Sequence, residues 1–97
     1  MSATNYFVRV DSAEFASGGT SAVATLMASL VALINQAKKK NVGFLNPFLY
    51  SMAGVTKDVT QGTNGFPPSV QGYSAGAGWD ACTGLGTPDG AAILNRL

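Results

Sequence analysis

Histidine is absent from this 97-residue chain, cysteine occurs once, and charged residues make up only 11%. Without histidine, a Ser–His–Asp triad cannot be completed within the chain, and a zinc site built on imidazoles is excluded as well. The single cysteine, Cys82, excludes an internal disulfide and leaves the redox compartment unread. The net charge of +1 provides no electrostatic footprint for nucleic acid or an anionic membrane. The opening residues show no basic stretch followed by an apolar run, so no signal peptide is visible. The apolar run Ala22 to Ile34 reads as too short to span a bilayer, and Thr25 and Ser29 interrupt it.

The chain is rich in apolar residues, at 46%, and has 12 glycines. Its mean hydropathy of +0.19 is high for so small a domain. Some of this apolar surface is therefore expected to pack on something outside the chain. The length allows one small domain with a modest core, read here as a single partial domain over 1–97.

Four elements are expected. Tyr6 to Val10 is rich in β-formers, Asp11-Ser12 signals a turn, and Glu14 to Ser17 reads as a return strand, giving a hairpin over 5–17. Ser21 to Lys39 reads as a helix, with Val23, Met27, Leu30, Ile34 and Ala37 at i, i+4, i+7 spacing. Leu26 and Leu33 carry apolar character to a second face, so this helix is expected to be buried on several sides. Lys38-Lys39-Lys40 suits its negative dipole end, and Asn41 to Gly43 is expected to terminate it. Asn46-Pro47 reads as a cap followed by the first residue of a short helix that ends at Gly54. Residues 54–86 read as an ordered loop, and Thr87 as the cap of a C-terminal helix over 88–97.

Two segments carry chemistry. In Gly18-Gly19-Thr20-Ser21-Ala22, a serine precedes a long apolar helix. Its hydroxyl would project from the first turn, beside unpaired N–H groups and the positive dipole end that can stabilise an oxyanion. The two glycines would let a substrate carbonyl come close. The same residues also suit a simple N-cap serine after a glycine turn. In the loop, Asp58 and Asp80 flank glycine-rich backbone, with Gly76-Ala77-Gly78-Trp79 directly before Asp80. Two carboxylates plus inward-turned carbonyls are hard oxygen donors of the kind Ca²⁺ takes. The alternative is that both acids cap turns.

Gly18 to Ala24 resembles the nucleophile segment of the sedolisin family, the serine-carboxyl peptidases. Asp58-Val59-Thr60, Gly62, Asn64-Gly65, Tyr73, Ala75-Gly76, Gly78-Trp79-Asp80 and Cys82 to Pro88 resemble the calcium loop and C-terminus of that family. The resemblance runs from about Tyr6 to the end. It implies an α/β chain, the C-terminal portion of a subtilisin-like fold with a largely parallel sheet. It further implies that Ser21 is the nucleophile. The implied calcium ligands are the carboxylates of Asp58 and Asp80 and the carbonyls of Val59, Gly76 and Gly78. Trp79 and Cys82 are read as packing residues of the loop. Thr25 departs from the proline common in the family.

The glutamate base, the carboxylate supporting it and the aspartic acid of the oxyanion hole lie upstream in the family and match no position here. Asp11 and Glu14 match no catalytic motif. The expected function is therefore the nucleophile-bearing, calcium-binding part of an acid-acting endopeptidase, working through a seryl acyl-enzyme and incomplete alone. The alternative is a non-catalytic, calcium-stabilised structural or oligomerisation module. Implied partners are a peptide or protein substrate, and either the remainder of the catalytic domain or a second copy held through the apolar helix. Neither nucleic acid nor a membrane is expected. The family implies secretion.

Overall fold

Alternating β-formers and a two-residue turn set the first architecture of the chain. In the computed structural model, which describes residues 3–97, β1 (Ala3–Val10) pairs antiparallel with β2 (Ala13–Gly19). Asp11 and Ser12 both take positive φ, 49° and 64°, the backbone twist that closes tight hairpins. Arg9 faces Glu14 across the ladder, with a 3.9 Å ion pair between exposed side chains. The register shifts between Ala3 and Tyr6, and Asn5 sits at φ 56° within that irregularity. The hairpin is longer at both ends than the expected 5–17, and β2 runs directly into the helix.

Helix α1 (Thr20–Lys38) begins and ends one residue before its expected bounds. It stops ahead of Gly43 because Lys39 adopts the left-handed conformation at φ 54°. In that position the Lys39 N–H is shared between the Asn35 and Gln36 carbonyls. Burial differs from expectation. Only Ile34 is buried in α1, while Leu26 is 45% and Leu33 63% exposed. A two-stranded ribbon is too small to cover a helix that is apolar on more than one face.

The length of α1 also corrects the membrane argument. Counted over the whole helix, 19 residues are long and apolar enough to cross a membrane by length and composition alone. The core helix of a soluble protein passes the same test.

Where the sequence predicts one partial domain, the described residues form two compact units that divide between Asn41 and Val42. The second unit contains α2 (Asn46–Ser51), β3 (Thr56–Lys57), β4 (Thr87–Pro88) and α3 (Gly90–Arg96). Leu45, Val55 and Ile93 are its buried apolar residues. The α2 cap is Leu45, which makes no side-chain cap bond, so Asn46 lies inside the first turn rather than capping it. The cap of α3 is Asp89, not Thr87. Its carboxylate accepts the Ala92 N–H at 3.1 Å, while Thr87 is occupied in β4.

Strands β3 and β4 pair antiparallel, Thr56 with Pro88 and Lys57 with Thr87. This pair clamps the two ends of the long loop. Both sheets are antiparallel. No parallel pair occurs among the described residues.

Candidate nucleophile and cation loop

The geometry around Ser21 follows from two glycines with different tasks. A Cβ on Gly18 would collide with the Ala3 carbonyl oxygen, so this glycine lets the two strands approach at the irregular end of the hairpin. Gly19 has open space around it, but its φ is 148°. It caps α1 through a conformation that L-residues rarely adopt. The two glycines thus serve a close approach of strands and the turn into α1.

Ser21 is the second residue of α1 and is exposed. It is not the cap, and no side-chain cap bond is made at this end. The first turn contains no acidic residue, so its N–H groups and positive dipole end are not neutralised locally. Thr25 lies in the second turn of the helix. Its hydroxyl donates back to the carbonyls of Ser21 at 3.0 Å and Ala22 at 3.2 Å. At this depth a proline would remove a helical N–H, which the threonine keeps.

The only acids of this unit are Asp11 and Glu14, at the turn end of the hairpin. About 17 Å of extended strand separates Glu14 from Gly19, at roughly 3.4 Å per residue. Neither acid is placed to take a proton from Ser21.

In the second unit, the five residues expected to hold a cation fall into two hydrogen-bonded clusters, Asp58 with Gly78, and Asp80 with Gly76 and, through Thr83, Val59. Asp58 Oδ2 accepts the Gly78 N–H at 2.7 Å, across twenty positions of sequence. Asp80 Oδ2 accepts the Gly76 N–H at 3.0 Å. Asp80 Oδ1 accepts from the backbone of Cys82 at 2.9 Å and Thr83 at 2.7 Å. The Thr83 hydroxyl stands 3.0 Å from each Asp80 oxygen and 3.4 Å from the Val59 carbonyl oxygen. The Gly76 N–H, then the Thr83 N–H, hold the Asp80 carboxyl below its ordinary pKa, with lesser help from the Thr83 hydroxyl and the Cys82 N–H; desolvation opposes them. These donors favour the ionised form of the carboxylate.

Thr83 and Gly86 lie in the Cys82 to Pro88 stretch, where sequence alone gives them no individual role. Thr83 follows Asp80 by three positions, the spacing at which a carboxylate gathers N–H groups two and three residues ahead. Gly86 takes φ 91°, and a Cβ there would strike the Lys57 carbonyl oxygen and lie 3.0 Å from the Asp58 Cα. It thereby fixes the backbone that carries Asp58 against the returning chain. A cleft of about 510 Å³ between Thr63 and Ser74 has no titratable side chain in its lining.

The donor set suits a hard cation. Among the described residues, no group of three or more His, Cys, Asp or Glu side chains converges, so a cage of side chains is not available. The oxygen donors the bonds place here are the Asp58 and Asp80 carboxylates and the Val59 carbonyl, the atom type that Ca²⁺ takes. From Gly76 and Gly78 the network uses the N–H groups, which hold the carboxylates in place.

No family model matches the chain. Individual proteins do. Kumamolisin from Bacillus sp. (strain MN-32) is 50% identical over 96 residues, covering 98% of this chain and 17% of that protein. Tripeptidyl-peptidase sed1 from Aspergillus fumigatus is 46% identical over 84 residues, 80% of this chain and 13% of that protein. Tripeptidyl-peptidase 1 from Dictyostelium discoideum is 40% identical over 80 residues, 74% of this chain and 13% of that protein. The chain thus spans less than a fifth of the length of these relatives. Identity of this order across nearly all of the chain, with Ser21 and the Asp58–Asp80 loop inside the matched stretch, identifies a partial region of the sedolisin family.

Proposed function

We propose that this chain is the nucleophile-bearing, calcium-binding segment of an acid-acting serine-carboxyl peptidase. The observation that carries the proposal is the exposed Ser21 on the second residue of a helix without first-turn acids, within a stretch 50% identical to kumamolisin. In this reading a carboxylate outside the described residues removes the Ser21 proton. The Ser21 oxygen then attacks a peptide carbonyl, and the N–H groups at the start of α1 favour the developing negative charge. The amine leaves with a proton, and water hydrolyses the acyl-enzyme to release Ser21. A carboxylate base has an unperturbed pKa of about 4, which suits acidic conditions.

Asp58, Val59, Gly76, Gly78 and Asp80 would hold calcium, which supplies rigidity to the loop when bound. The substrate is a peptide or protein, and by resemblance the location is extracellular. The proposed mode is internal cleavage. The names of two relatives indicate release of tripeptides instead.

The test exchanges this chain for the matched 96 residues of kumamolisin and assays the chimera near pH 4. Quenched internal peptides and N-terminal tripeptide substrates are used in parallel, so the two cleavage modes separate. Cleavage by the chimera and its loss in Ser21→Ala are expected. A Ser21→Ala chimera as active as its parent would refute the nucleophile assignment.

One observation favours a second reading, a non-catalytic self-associating module: Leu26 and Leu33 lie exposed on α1. An inactive chimera, together with an oligomer of the 97-residue chain in sedimentation, would select it.

A further inference from the structure

We infer that Thr83 is a positioning residue for the cation site, whose hydroxyl joins the Asp80 carboxylate to the Val59 carbonyl; this rests on the calcium reading above. An ionised carboxylate offers about four lone-pair sites. On Asp80 three are taken by N–H donors, from Gly76 on Oδ2 and from Cys82 and Thr83 on Oδ1. One site remains for a cation or for the Thr83 hydroxyl, which stands 3.0 Å from both oxygens.

A hydroxyl has one proton to give. It can point to Asp80, or swing to the Val59 oxygen at 3.4 Å. Were a cation to occupy the last site on Asp80, the Thr83 hydroxyl would donate to the Val59 carbonyl instead, keeping its proton. That carbonyl has two lone pairs, so it can accept the hydroxyl and still face a cation. The same side chain therefore spans two ligands 21 positions apart with or without the ion. Neither Cys82 nor Gly76 can do this, because their N–H groups are fixed by the backbone.

The experiment is calcium titration of the 97-residue chain by isothermal calorimetry, with cation-free melting recorded beside it. Thr83→Val keeps the shape and removes the hydroxyl; Thr83→Ser keeps the hydroxyl. Wild type should bind calcium. Thr83→Val should bind it about 10-fold or more weakly, the scale on which groups that orient metal ligands act. Thr83→Ser should stay within about threefold of wild type on that same scale. A Thr83→Val chain that melts lower without calcium yet binds it as wild type does would assign Thr83 a merely structural role and overturn the inference. Tighter binding by Thr83→Val would make the hydroxyl a competitor and overturn it too. If Thr83→Val does not fold, a tenfold loss in Thr83→Ser has the same force. A wild-type chain that takes up no calcium would instead bring down the cation reading itself, and this inference with it.

Discussion

Gly86→Ala places a methyl group where the structure has no room for one. The added Cβ would run into the Lys57 carbonyl oxygen, 2.9 Å from the Lys57 carbonyl carbon and 3.0 Å from the Asp58 Cα. These are backbone atoms and cannot rotate away as a side chain would. The φ of 91° adds a second cost, since L-residues in such regions are strained by about 1–3 kcal/mol. The collision is relieved only by moving β3 from β4, which costs a further amount of about 1–3 kcal/mol by analogy with overpacked sites. The expected loss is thus about 2–6 kcal/mol, or a melting temperature lower by roughly 10 °C or more for a domain this small.

The assay is thermal unfolding followed by the emission of Trp79, the only tryptophan. Gly76→Ala is the matched control. Its Cβ meets nothing within 4 Å, its backbone is not left-handed, and it retains the N–H that holds Asp80. Gly76→Ala should melt close to wild type. A Gly86→Ala chain that melts within about 2 °C of wild type, a shift well under 1 kcal/mol, would refute the close-approach argument.

Calcium should raise the melting temperature, because a ligand that binds only the folded loop stabilises it by about 2.7 kcal/mol at a hundredfold excess over Kd. Asp58→Ala should abolish that rise, and a chelator-insensitive wild type would refute the assignment. For acid sensitivity the sign follows from the lowered pKa of Asp80. Its contribution to stability is present above the unfolded value of 3.8 and disappears as pH falls through the lower folded value. Cation-free melts of wild type should therefore drop more steeply below pH 3.8 than those of Asp80→Asn; parallel curves would count against the network.

The elements readable from sequence were those specified locally. The β-formers of residues 6–10, the Asp11-Ser12 turn and the apolar rhythm of α1 each act over a few residues, and each has its counterpart in the structure. Terminal residues were less legible, because several groups compete for the same helix end. Asp89 caps α3 because β4 occupies Thr87, a pairing with Lys57 thirty positions away that no local signal announces. Lys39 ends α1 although it is not glycine, so a search for the nearest Gly overshoots. The meaning of Gly18 lies in the Ala3 carbonyl across the ladder. In the candidate site, residue types and spacing pointed to Asp58 and Asp80, and the structure adds the groups that hold each, the Gly78 N–H on Asp58 and the Gly76 N–H and Thr83 on Asp80. The only acids beside Ser21 in sequence, Asp11 and Glu14, sit at the far end of the hairpin.

The division between Asn41 and Val42 gives the chain two optical reporters weighted toward different units. Most of the helical residues lie in α1, so ellipticity at 222 nm is dominated by the serine-bearing unit. The lone indole, Trp79, belongs to the loop next to Asp80, so its emission follows the other unit. A single sample heated once yields two curves, and their coincidence or separation measures whether the serine-bearing helix and the carboxylate loop unfold as one cooperative body.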